Sequence, residues 1–152
     1  MRWGSLQSAV KIAFDGTSVW IVNAGGNSVT KLLASDGLEQ GTFAVGNDPE
    51  ALALDGANIW VSNFLDSTVT KVRATDGLRL GTFPTGQQPV GVAFDGANIW
   101  VANYGSNTVT ELRSSNGAKV GTSTAGTNPY AVAFDGTQIW VTNYSSNTIS
   151  KF

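Results

Sequence analysis

The chain contains neither cysteine nor histidine in 152 residues. Without cysteine there are no disulfides, thiolate metal sites or cysteine nucleophiles, and the redox compartment is left open. Without histidine the commonest general base and the commonest transition-metal ligand are gone. Proline is scarce, with 4 residues, and charge is sparse at 13%. The formal net charge is −2, the sequence pI is about 4.8, and no basic cluster occurs, so nucleic acid is not an expected partner. No apolar run approaches the ~18 residues that a membrane-spanning helix needs, and no membrane association is expected. The opening MRWGSLQS carries no apolar h-region and runs straight into repeat-like sequence. The chain therefore reads as soluble and without a signal peptide: cytoplasmic as it stands, extracytoplasmic if it is a piece of a longer precursor.

What is present is a repeat. Trp20, Trp60, Trp100 and Trp140 are spaced by 40 residues, as are Asn23, Asn63, Asn103 and Asn143. The pairs Asp15-Gly16, Asp55-Gly56, Asp95-Gly96 and Asp135-Gly136 keep the same register. A fixed period of this length signals a solenoid or a propeller. Within one period the pattern is strand-like. PVGVAFDG (89–96) alternates and ends in a turn pair, and NIWVANYG (98–105) is β-branched and aromatic. NTVTELRSSNG (107–117) alternates up to an Asn-Gly turn, and KVGTSTAG (119–126) is the weakest strand. Helical i, i+3, i+4 spacing is missing. Four short antiparallel strands, A to D, in forty residues describe one propeller blade. The expected fold is all-β, a single propeller domain with repeats at about 8–47, 48–87, 88–127 and 128–152.

The stretches IWVANYGSNTVT (99–110) and IWVTNYSSNTIS (139–150) resemble the YVTN-type propeller repeat, close to NHL repeats and the virginiamycin B lyase-like propellers. The resemblance covers nearly the whole chain, four times over. The Gly-His and Trp-Asp signatures of WD40 repeats are absent. The lyase members of the group are understood to act through histidines and an acidic residue with a divalent metal. This chain has no histidine to take those roles, so it implies no lyase chemistry of that kind, no catalytic residue, no metal and no cofactor.

The Asp-Gly pairs and the tryptophans common to every copy have two readings each. The Asp-Gly pairs form either a ring of carboxylates for a cation or a set of hairpin turns, with glycine supplying positive φ and aspartate bonding the local backbone. The four tryptophans are either stacking platforms or packing between neighbouring blades. The asparagines satisfy backbone groups at the strand end.

Differences between copies point to function. In a propeller the D-to-A loops share a face with the B-to-C loops. Here that face gathers Phe64, Tyr104, Tyr130 and Tyr144 with Asp48, Glu50, Asp66, Gln88 and Asn128. Glu50, Phe64, Tyr104, Tyr130 and Tyr144 are the candidate ligand-binding residues, suited to a small polar molecule, a sugar or a protein partner. Lys11 is the candidate channel residue, because its counterparts Ala51, Gly91 and Ala131 are small; Glu50 would balance it. Three functions compete: a non-enzymatic binding scaffold, an enzyme relying on carboxylates, lysine and tyrosine with or without an oxygen-ligated metal, and a truncated or engineered repeat protein with no ligand.

Four periods of 40 would make 160 residues, and the chain of 152 is eight short, with the last copy incomplete. Phe152 aligns with Leu112, so this copy holds strands A, B and C. At the other end Trp3 aligns with Phe43 and Phe83, which makes residues 1–7 an orphan strand D. A homodimer closing one eight-bladed ring is expected, each amino-terminal strand completing its partner's last blade, with Met1, Arg2, Trp3, Ile149 and Phe152 at the interface. With strands about 4.8 Å apart, the gap between blades widens outward by ~22 Å in a four-bladed ring and ~11 Å in an eight-bladed one. The small residues of strands C and D suit the narrower wedge.

Overall fold

The computed structural model of the chain describes residues 6–152. The first blade is β1 (Ala9–Phe14), β2 (Ser18–Asn23), β3 (Ser28–Leu33) and β4 (Glu39–Ala44). The second is β5 (Pro49–Leu54), β6 (Asn58–Asn63), β7 (Thr68–Arg73) and β8 (Arg79–Pro84). The third is β9 (Pro89–Phe94), β10 (Asn98–Asn103), β11 (Thr108–Arg113) and β12 (Lys119–Thr124). The fourth is β13 (Pro129–Phe134), β14 (Ile139–Asn143) and β15 (Thr148–Lys151). Each sheet is antiparallel, with its strands in chain order. The chain is thus all-β and propeller-like. Met1, Arg2 and Trp3 lie outside the described residues, as does most of the expected orphan strand.

Each blade is short because its sequence supplies turn residues at both ends of every strand. The A–B turn shows how. Asp55 Oδ1 accepts the backbone N–H groups of Ala57 and Asn58 at 3.0 and 2.7 Å. Gly56 takes a φ of 93°, a left-handed conformation that glycine adopts without penalty. The other carboxylate oxygen accepts the Trp60 indole N–H at 2.8 Å. The same bond joins Asp15 to Trp20, Asp95 to Trp100 and Asp135 to Trp140. The turn therefore also sets the tryptophan, which a carboxylate ring for a cation would not require.

Blades pack face to face through a repeated interface. Trp20, Val22 and Val29 of the first blade meet Leu52, Ile59, Val61 and Val72 of the second. Trp60 and Val69 meet Ile99, Val101 and Leu112 of the third. Phe43 and Phe83 from the outer strands lie over Trp20 and Trp60, with ring centroids 6.0 and 5.4 Å apart. Trp20 and Trp60 are fully buried. The third copy has Ser123 where these phenylalanines stand, and Trp100 is only half-buried, stacked on Phe152 at 6.1 Å. Phe152, expected at an oligomer interface, therefore packs inside the chain, between the third and fourth blades.

The asparagines at the end of strand B bond chiefly to side chains rather than to backbone. Nδ2 of Asn63 donates to the Thr68 and Thr70 hydroxyls of the next strand, at 3.0 and 2.9 Å. Its Oδ1 accepts the Gly46 N–H from the preceding loop at 2.9 Å. One buried side chain thus locks two strands and a loop.

The arc of four blades is open. Ile12 and Phe14 of the first blade are 63% and 59% exposed, and Trp140 and Ile149 of the last are 39% and 66% exposed.

Candidate functional site

The D-to-A loops build one end of the blades. Asp48, Gln88 and Asn128 each take a left-handed backbone, with φ of 51°, 53° and 54°, immediately before a proline that starts strand A. The turn aims each carbonyl at the B-to-C loop of the same blade. Phe64, Tyr104 and Tyr144 donate their backbone N–H groups to the carbonyls of Asp48, Gln88 and Asn128 at 3.0, 3.0 and 2.9 Å. An aromatic residue is thereby fixed at the same place in three successive blades. In the first blade the corresponding bond runs from Ala24 to Ser8, and no ring is present.

The rings line a cleft of about 530 Å³ with Glu50, Val90 and Tyr130. Tyr104 and Tyr130 meet edge to face, 6.4 Å between centroids at 77°. Tyr130 and Tyr144 lie 6.2 Å apart at 43°. All five residues singled out from the sequence thus line one cleft. Val90 joins them from the register position that Glu50 and Tyr130 occupy in their own blades.

The other polar residues of this face do not line the cleft. Asp66 Oδ2 accepts the Asn47 backbone N–H, and its Oδ1 the Asn47 side-chain amide, both at 2.8 Å. These bonds hold its carboxyl below the usual range. Asn128 donates its side-chain amide to the Tyr104 carbonyl at 2.9 Å. Asp48 and Gln88 serve through their carbonyls. These residues are loop clamps.

Lys11 lines a second cavity of about 380 Å³ among the innermost strands, with Glu50, Gly91, Tyr130 and Ala131. The two cavities share Glu50, Val90 and Tyr130. Among the described residues the ion pair is Arg73 with Asp76, so Glu50 does not pair with Lys11 at contact distance. Burial, then the nearby Asp48 carboxylate, pushes the Glu50 carboxyl above its ordinary value. Among the described residues no three acidic groups gather closely enough to hold a metal ion.

Sequence reasoning missed the lysines. Lys31 Nζ reaches the second blade and donates to the Ala74 carbonyl at 2.7 Å, 5.3 Å from the centroid of the Trp20 ring. Lys recurring at 31, 71 and 151, always opposite a tryptophan, was the available signal.

No family model matches the chain, and no curated protein does. Solved structures do. Hydrazine synthase of Kuenenia stuttgartiensis superposes with a TM-score of 0.89 at 26% identity, over 98% of this chain and 47% of that one. Virginiamycin B lyase of Staphylococcus aureus superposes with a TM-score of 0.78 at 18% identity, over 96% of this chain and 55% of that one. The chain thus spans about half the length of these two. The computationally designed Ika4 protein matches with a TM-score of 0.87 at 14% identity, over 98% of this chain and 92% of that one. With four consecutive antiparallel blades and these neighbours, the chain has a β-propeller fold of the YVTN/NHL-like type.

Proposed function

We propose that the chain is a non-enzymatic propeller module that closes its ring with a second copy and presents the tyrosine-lined cleft to a small polar molecule or a protein partner. The carrying observation is that the two ends of the arc are the two unmatched halves of its own internal interface. Ile12, Phe14, Val19, Ile21 and Leu32 stand one period before Leu52, Leu54, Ile59, Val61 and Val72, the apolar face that receives Trp20. On that first-blade face Ile12 and Phe14 are exposed, and Ile12, Val19, Ile21 and Leu32 line a broad hollow with Ala34 and Ser35. At the other end Trp140 lacks the cover that Trp20 and Trp60 have. Apolar faces left open in this way mark association sites.

A second copy supplies both missing halves at once, and a twofold axis closes the ring with eight blades. Trp3 stands one period before Phe43, so the register would set it over the partner's Trp140 as Phe43 lies over Trp20. A closed ring of four-stranded blades covers every apolar blade face and leaves only short, protected strand edges. Ika4, matched over most of its length, is a solved protein of comparable size with this fold.

A non-enzymatic role is supported by how the acidic groups are used. Asp15, Asp55, Asp95 and Asp135 each hold a turn and an indole, Asp66 holds a loop, and Asp76 pairs with Arg73 at 2.6 Å.

Variants blocked at one end test the assembly. Ile12→Asp and Trp140→Glu should each give monomers alone. Mixed, they should form a 1:1 pair through the one intact interface, visible by native mass spectrometry. Self-association of either variant alone, unchanged from the parent, would refute the pairing of these faces.

A further inference from the structure

We infer that the tyrosine-lined cleft takes a small alkylated ammonium ion, with the rings as its walls and Glu50 as its counter-charge. This rests on reading the cleft as a ligand site and names the chemistry that fits it.

Four aromatic rings from three blades, Phe64, Tyr104, Tyr130 and Tyr144, line one hollow of about 530 Å³. The faces of such rings are electronegative, and a cation held over them is attracted by the ring quadrupole. At 77° and 43° to one another, the Tyr104–Tyr130 and Tyr130–Tyr144 pairs form walls rather than one flat platform. A flat sugar ring is served by a platform, whereas a rounded alkylammonium is served by walls.

The polar complement agrees. The one charged side chain in the lining is Glu50, and the other polar groups are the three tyrosine hydroxyls. No amide side chain lines the cleft: the Asn128 amide is held by the Tyr104 carbonyl, and Gln88 is not among the lining residues. A sugar would leave most of its hydroxyls without partners, at the cost that unpaired buried polar groups carry. An anion would meet the Glu50 carboxylate.

Glu50 is also a carboxylate in want of a cation. Two charged groups neighbour it, Lys11 across the adjoining cavity and Asp48 two residues before it. Lys11 is beyond ion-pair distance, and Asp48 repels. Burial and that repulsion make the ionised form costly, and a cation bound in the cleft relieves both. A methylated ammonium suits the site better than a bare one, since its shallow hydration is given up more easily to aromatic walls.

Calorimetric titration with choline tests this, against its uncharged isostere 3,3-dimethylbutan-1-ol and against glucose. Choline should bind, and the isostere should bind about tenfold more weakly because it lacks only the charge. Tyr130→Leu should abolish choline binding, and Glu50→Gln should weaken it several-fold without lowering the unfolding temperature. Equal binding of choline and the isostere would overturn the inference, as would absence of choline binding. Glucose binding that Tyr130→Leu removes, with no choline binding, would overturn the cation and leave the cleft a ligand site. Neither result bears on the mass of the assembly, which is measured separately.

Discussion

Lys71 of the second blade crosses to the third and donates from Nζ to the Ser114 carbonyl oxygen at 2.6 Å, with its ammonium 4.9 Å from the centroid of the Trp60 ring. Lys31 makes the same crossing to Ala74. The third copy has Glu111 instead, which accepts the Asn98 side-chain amide at 2.8 Å within its own blade. Lys151 of the last blade lies 5.6 Å from the Trp140 ring centroid, and in the proposed ring its register would bring it to the Ala34 carbonyl of the second copy.

The two positions are therefore expected to respond differently. Lys71→Met should lower the stability of the folded chain by about 1.5–3 kcal/mol, the range for a hydrogen bond to a charged group. Lys151→Met should leave the isolated chain's stability unchanged and weaken self-association. Denaturant unfolding and a concentration series by sedimentation separate the two. Equal effects of both substitutions on single-chain stability would contradict the account.

The tryptophans should follow the same gradient. Trp60→Ala empties a fully buried site and should cost about 3–5 kcal/mol. Trp100→Ala should cost less, because its ring is half-buried and Ser123 stands where an outer-strand phenylalanine covers Trp20 and Trp60. A larger loss at Trp100 than at Trp60 in urea unfolding would show that the blade interfaces are not ordered as described.

Acid should loosen the blade turns. Burial raises the Asp55 carboxyl, but hydrogen bonds from the Trp60 indole, the Asn58 side chain and the Ala57 and Asn58 amides outweigh it, and the net shift is downward. A carboxyl lowered in the folded state stabilises above its unfolded value of about 3.9 and loses that contribution as pH falls through the folded value. Asp15 and Asp95 shift the same way, burial again opposed by backbone and indole donors. The chain should therefore lose stability below about pH 4. In Asp55→Asn the fall should be shallower, as read from unfolding temperature against pH. An unchanged slope would remove Asp55 from the explanation.

Glu50 should behave in the opposite sense. A carboxyl raised in the folded state favours folding at low pH, and that contribution is lost as pH rises from the unfolded value through the folded one. At neutral pH, Glu50→Gln should leave the ligand-free protein as stable or more stable. Destabilisation by this substitution would make Glu50 a structural residue.

The blade plan was legible because it is local and written four times. The Asp-Gly turn, the strand-B tryptophan and the alternation of strands A to C each follow from a few adjacent residues. The cleft was legible for a related reason: once strand order is known, loops 46–50 and 64–66 must lie at one end, and rings placed there must face one another. Val90 escaped notice because an apolar residue in a strand carries no chemical signal of its own. The lysine crossings were hidden because their acceptors are carbonyls 43 residues away, which no side-chain pattern records. The packing of Phe152 on Trp100 was not foreseen because it depends on Ser123 having replaced the outer-strand phenylalanine, a compensation visible only once Trp100 is seen to need a cover.

The central claim is that the open faces around Ile12 and Trp140 are two halves of one interface. Multi-angle light scattering on the eluting peak tests it most directly. The account predicts about 32 kDa at micromolar concentration, twice the 15.9 kDa of one chain. A stable, folded species of 15.9 kDa at that concentration would contradict it.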